Sequence, residues 1–178
     1  MTEAFRIEPG TYGSRVVVTS AWNPGITRYI IENDVKELYL NYAWGWKGND
    51  IAFLNELTNL EAFFILDWTI QDIAPVHFLT HLRFVHINTY CDSQIDFTRF
   101  PDLEECFLEW HRGAESVFSC KGLRKLFLNS YGGASSQPFS PLSELRSLSL
   151  GSAAIKEVLR ALARCRNWSF WAYIIFAS

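Results

Sequence analysis

Residues 60–82 read LEAFFILDWTIQDIAPVHFLTHL, and within them Leu60, Phe63 and Ile65 fall into the spacing apolar-x-x-apolar-x-apolar. The same spacing recurs at Val35/Leu38/Leu40, Leu82/Val85/Ile87, Leu103/Cys106/Leu108, Leu123/Leu126/Leu128 and Leu145/Leu148/Leu150. The first positions lie 25, 22, 21, 20 and 22 residues apart, a period that marks a stacked repeat. One further step each way gives Gly13/Val16/Val18 and Trp168/Trp171/Tyr173, so about eight strands are expected.

Alternate residues of a strand point to opposite sides, which sends the fourth and sixth positions inward and the third, fifth and seventh outward. No single coil buries its own apolar side, so stability must come from stacking coils into one parallel sheet over a shared core. The residue three places before each motif is apolar too: Leu57, Leu79, Phe100, Cys120, Leu142 and Cys165, with Glu32 breaking the column near the front. Clusters such as Ile51/Phe53/Leu54, Ile70/Ile73/Val76, Ile95/Phe97, Val117/Phe118 and Ile155/Val158/Leu159 supply the opposite wall. The expected fold is an α/β repeat solenoid with a concave parallel sheet and short helices or loops on the convex side. It is expected as one domain over 1–178: an N-terminal hairpin cap at 1–12, repeats over 13–152, and a helix plus last strand over 153–178.

Of 178 residues, 49% are apolar and 20% charged, and the net charge is −3, which suits a compact chain and argues against a phosphate-backbone binder, whose surface needs a basic stripe. No nucleic-acid partner is expected. Met1 to Gly10 carries Glu3 and Glu8 and no apolar run, so no signal peptide is expected, and Trp168 to Phe176 is too short to anchor in a membrane. Cys91, Cys106, Cys120 and Cys165 are 15, 14 and 45 residues apart, without a close pair for zinc or redox chemistry. A reducing, cytoplasmic location follows as the expectation. Ala153–Arg166 reads as an amphipathic helix, and the apolar strand after it leaves an edge through which a homodimer is expected to form.

Leu60 to Leu82, with Ile70-Gln-Asp-Ile73 and Leu79-Thr80-His81-Leu82, resembles one leucine-rich repeat of the bacterial internalin-like type. The resemblance spans the chain by period and is close in letters only in that coil. It departs where such repeats place Asn, here Ala43, Trp68, Tyr90, His111, Tyr131 and Ala153, so no Asn ladder is expected and aromatic side chains must turn the corners. The resemblance implies a curved solenoid whose inner sheet binds another protein.

The fifth position of each motif gives the outward central column: Val17, Tyr39, Phe64, His86, Phe107, Phe127, Ser149 and Ala172. Strands ~4.8 Å apart turn its rings into a nearly continuous apolar strip of the kind that marks contact sites. Tyr39, Phe64, His86, Phe107 and Phe127 are the expected anchors, and Trp44, Trp46 and Trp110, with Tyr42, the expected rim. Glu37, Glu105, Glu109 and Lys125 are the expected register-setting charges, beside Asn41, Asn88 and Asn129. No long segment is left over to cover the strip. His77/His81 lacks a third metal ligand, Gly132-Gly133 lacks the Lys and helix of a phosphate loop, and nothing supplies a nucleophile or oxyanion site beside Glu105, Glu109 and His86. No enzyme activity, metal or cofactor is expected. The expected function is protein binding, in the manner of an inhibitor or immunity protein, with a glycan or small planar ligand stacked on the strip as the alternative.

Overall fold

The computed structural model describes residues 4–151 apart from 134 and 136. Strands β1 (Phe5–Pro9), β2 (Ser14–Val18), β3 (Glu37–Asn41), β4 (Ala62–Leu66), β5 (Phe84–Asn88), β6 (Glu105–Glu109), β7 (Lys125–Asn129) and β8 (Ser147–Gly151) form one sheet in chain order. From β2 onward the strands are parallel and in register, so that Val16, Leu38, Phe63, Val85, Cys106, Leu126 and Leu148 line up. Every fourth and sixth position from Val16 to Leu150 is buried, as alternation requires.

Seven of the eight expected motifs are β2 to β8, and the eighth strand of the sheet is β1, which pairs antiparallel with β2. The motif at Trp168/Trp171/Tyr173, the helix at 153–166 and the dimer edge at 168–176 lie outside the described residues.

Opposite the sheet, the chain returns through short 3₁₀ segments, including Ala52–Glu56, Ala74–Phe78, Phe97–Arg99, Arg112–Ser119 and Gln137–Phe139. The apolar residue three places before each motif closes two successive turns. Leu57 N–H donates to Leu54 and its own carbonyl accepts from Leu60, and the same relay runs through Leu79, Phe100, Cys120 and Leu142. The chain then joins its neighbour by a repeated device: one carbonyl takes two N–H groups of the next coil. Lys36 O accepts from Glu61 and Ala62, Glu61 O from Arg83 and Phe84, Arg83 O from Glu104 and Glu105, and Glu104 O from Arg124 and Lys125.

The first return segment is different, and sequence reading passed it over. Helix α1 (Pro24–Glu32) starts at Asn23, whose side chain accepts from Gly25 N–H, with Pro24 in the first turn where its missing N–H costs nothing. Ile26 and Ile30, four apart, bury its inner side.

Candidate functional site

The outward central column forms a row of rings. Centroids are 5.0 Å apart for Tyr39–Phe64, 4.5 Å for Phe64–His86, 5.5 Å for His86–Phe107 and 6.2 Å for Phe107–Phe127. Register dictates this, because each ring sits beside its cross-strand partner in the parallel ladder. All five side chains are half-buried, and their rings stack on one another except between Phe64 and His86, which meet edge-on. Val17, in the same column, is fully buried instead and does not extend the row.

Phe84, at a third position, joins the row, 5.6 Å from Phe107 and 6.4 Å from Tyr39. Trp44, 42% exposed, stacks 5.9 Å from Phe64 and carries the apolar surface over the edge of the sheet. Beyond it Trp68 stacks 4.4 Å from Tyr90, which is 71% exposed. Phe84, Trp68 and Tyr90 were not among the expected site residues, although Phe84 follows from the column rule that found Phe64.

Two expected site residues are corrected. Trp46 is not a rim residue: it is 2% exposed, and its indole Nε1 donates to Asp67 Oδ2 at 2.9 Å. A buried tryptophan needs an acceptor, and Asp67, itself buried and bound by Thr69 N–H and Oγ1, supplies it. Glu37 is not a surface charge either. It is 1% exposed, with Oε2 taking Nε and Nη2 of Arg15 at 2.8 Å and Oε1 taking the Tyr12 N–H at 2.7 Å. A Cβ at Gly10 would run into this carboxyl group, so the β1–β2 turn needs glycine there.

That turn also changes the reading of the strip as uncovered. Tyr12 is reached by the Arg83 guanidinium at 4.6 Å, and burial, followed by the Glu105 carboxylate, pushes its phenol pKa up. Arg6 lies 5.5 Å over Trp44, and Arg15 lies 4.2 Å over Tyr39. The hairpin thus overlies the first end of the row with cations on ring faces, an attraction of about 0.5–2 kcal/mol each. The far end, from His86 to Phe127, has no such contact among the described residues.

Charges on the flank are mostly matched. Arg83 pairs with Glu104 at 2.8 Å and with Glu61 at 3.6 Å, Arg124 pairs with Glu104 at 2.8 Å, and Lys125 pairs with Glu105 at 2.8 Å. On the other flank Asn41 Oδ1 caps Ala43 N–H, and Asn129 Nδ2 donates to Glu109 Oε2 at 2.7 Å. Asn88 Oδ1 is buried without a partner among the described residues. Trp110 is partly buried and packs on Phe118 and Tyr131, lining a groove of about 660 Å³ with Arg112, Glu115 and Ser130. His77 Nε2 accepts from Asp96 N–H at 2.8 Å, and no metal-holding group of His, Cys, Asp and Glu occurs among the described residues.

Burial among Phe64 and Phe107 lowers the His86 pKa to about 4, so this ring is neutral at pH 7. Its folded value lies below the 6.5 of the unfolded chain, so the folded state binds fewer protons between those limits. Stability is therefore full above pH 6.5 and falls as the pH drops toward 4. Between pH 7 and pH 4.5 this corresponds to about 2–3 kcal/mol, and a His86→Phe variant should remove most of it in urea titrations at those two pH values. An equal acid loss in that variant would show that His86 is not the group responsible.

Solved structures of bacterial proteins resemble this chain. An internalin (inlF) of Listeria monocytogenes aligns with a TM-score of 0.59 at 20% identity, over 92% of this chain and 49% of that one. The fold is a leucine-rich-repeat solenoid. Internalin C2 of the same species aligns at 0.55 and 20% identity, over 70% of this chain and 55% of that one. A leucine-rich-repeat protein of Leptospira interrogans aligns at 0.50 and 13% identity, over 92% and 49%. The chain thus spans about half the length of the structures it resembles. No protein-family model matches the sequence, and no curated protein does. No helix among the described residues is long and apolar enough to cross a membrane.

Proposed function

We propose that this leucine-rich-repeat chain is a protein-binding module whose partner rests on the concave sheet. The observation that carries the reading is the half-exposed row Tyr39, Phe64, His86, Phe107 and Phe127, continued by Trp44. Aromatic anchors packed side by side lose little conformational freedom on binding, and a contiguous apolar surface with polar margins is the usual mark of an interface. Phe107 stands in the part of the row that the hairpin does not overlie. The form of the reading we favour is an inhibitor or immunity protein that occludes its partner, working in the cytoplasm. The free thiols of Cys91, Cys106 and Cys120 are compatible with a reducing compartment.

The test is affinity capture from the native organism with mass-spectrometric identification, followed by titration of the purified partner. Phe107→Ala should weaken binding by about 1–4 kcal/mol while the convex-side Phe78→Ala leaves it unchanged. A partner lost with Phe78 and indifferent to Phe64, Phe107 and Phe127 would overturn the assignment. The stacked Trp68–Tyr90 pair, in which Tyr90 is exposed and Trp68 half-buried, favours a second reading, a glycan laid on ring faces. A glycan that raises the melting temperature of the wild type and not of Tyr90→Ala would establish it.

A further inference from the structure

The spacing and charge of the concave face say what kind of protein segment fits it. Each strand from β2 to β7 has neighbours on both sides in unbroken register, so the ladder hydrogen bonds of the face are used within the sheet. A partner strand has nothing to pair with there and must dock through side chains. Along the row the ring centroids advance by 5.0, 4.5, 5.5 and 6.2 Å. An α-helix repeats one side every 5.4 Å, whereas a strand repeats every ~6.6–6.8 Å, so three of the four steps lie closer to the helical pitch. A helix lying across the strands therefore offers one apolar side chain per turn to one ring per coil.

Charge narrows the choice. Arg15 is taken up by the buried Glu37, and the outward-facing Lys125 by Glu105. Glu109, beside the part of the row that the hairpin leaves open, accepts only from Asn129 and has no cation partner among the described residues. The exposed Arg146 lies one column outside the face on the opposite edge.

We propose that the occupant of this face is an amphipathic α-helix of another protein, laid along the ring row with an Arg or Lys opposite Glu109. The proposal rests on the binding role assigned to the concave sheet. Its test uses three fluorescent peptides of about 18 residues, long enough to hold helix. One carries Leu at helical spacing flanked by Lys, the second has Glu in place of Lys, and the third has the Leu and Lys of the first in strict alternation.

Titrated with the full chain, the first peptide should bind saturably and the other two at least tenfold more weakly. Glu109→Gln should weaken the first peptide about five- to twentyfold, as loss of a charge-assisted contact does. Glu144→Gln, away from the face, should leave it unchanged. Equal binding of the alternating or acidic peptide, indifference to Glu109→Gln, or no saturable binding of the first peptide up to about 1 mM would overturn the proposal. If the first peptide fails while a captured protein still depends on Phe107, the helical occupant is wrong and the surface stands. If neither peptide nor captured protein depends on Phe107, the binding role itself falls.

Discussion

Phe97→Ala should lower the unfolding free energy by about 3–5 kcal/mol, the cost of emptying a buried phenylalanine site whose walls relax only in part. Phe97 is fully buried on the convex wall, 5.8 Å from Phe100 in an edge-on arrangement. Its backbone is fixed at both ends: its N–H donates to Ser116 Oγ at 2.9 Å, and its carbonyl accepts from the Cys120 thiol at 3.6 Å. The following coil, which supplies both Ser116 and Cys120, is thereby tied to Phe97 and closes the gap only in part. With a urea slope near ~2 kcal/mol per M, the midpoint should fall by about 1.5–2.5 M at an unchanged slope. Tyr90→Ala, which removes a ring that is 71% exposed, should stay within about 0.5 kcal/mol of the wild type. A Phe97→Ala loss below about 1 kcal/mol would contradict the packing described here.

The second large effect belongs to the front of the solenoid. Arg15→Met should cost about 3–5 kcal/mol, because it leaves the nearly inaccessible Glu37 carboxylate with one backbone N–H and no cation. The double variant Arg15→Met, Glu37→Leu removes both charges and should recover most of that loss, since a well-packed apolar pair often matches a buried ion pair. Urea unfolding of the wild type, the two single variants and the double gives the coupling directly. A double variant no more stable than Arg15→Met would show that the carboxylate is not what makes the single change costly. The Tyr12–Arg83 contact reports the same disturbance locally, because the turn that carries Tyr12 is held by Glu37.

The repeat was legible because its signal is local and recurs. Leu38/Leu40, Phe63/Ile65 and Leu126/Leu128 each announce a strand by alternation alone, and a period of 20–25 residues fixes their register. The ring row followed from the same rule applied to the outward positions. What the pattern could not show is long-range pairing. Trp46 carries the same letters as an exposed rim residue, and only Asp67, 21 positions on, decides that it is buried. Glu37 sits in an outward column like Glu105, yet Arg15 and the turn above it bury the one and leave the other half exposed. Arg6 and Tyr12 reach the face only because β1 folds back on β2, a step outside the repeat. Helix α1 was within reach, since Asn23-Pro24 followed by Ile26 and Ile30 is a helix start with one apolar side.

The shared carbonyl at each junction bears on how such a protein changes size. Lys36, Glu61, Arg83, Glu104 and Arg124 make the same forked attachment to the coil that follows, whatever their side chains. Every seam is thus interchangeable at the level of the main chain, and a duplicated or deleted coil meets its neighbours with matching donors and acceptors. Length can then be altered in whole increments of about 4.8 Å, one inter-strand spacing at a time. The chemistry displayed on the inner surface is free to diverge coil by coil, since the joints ask nothing of it.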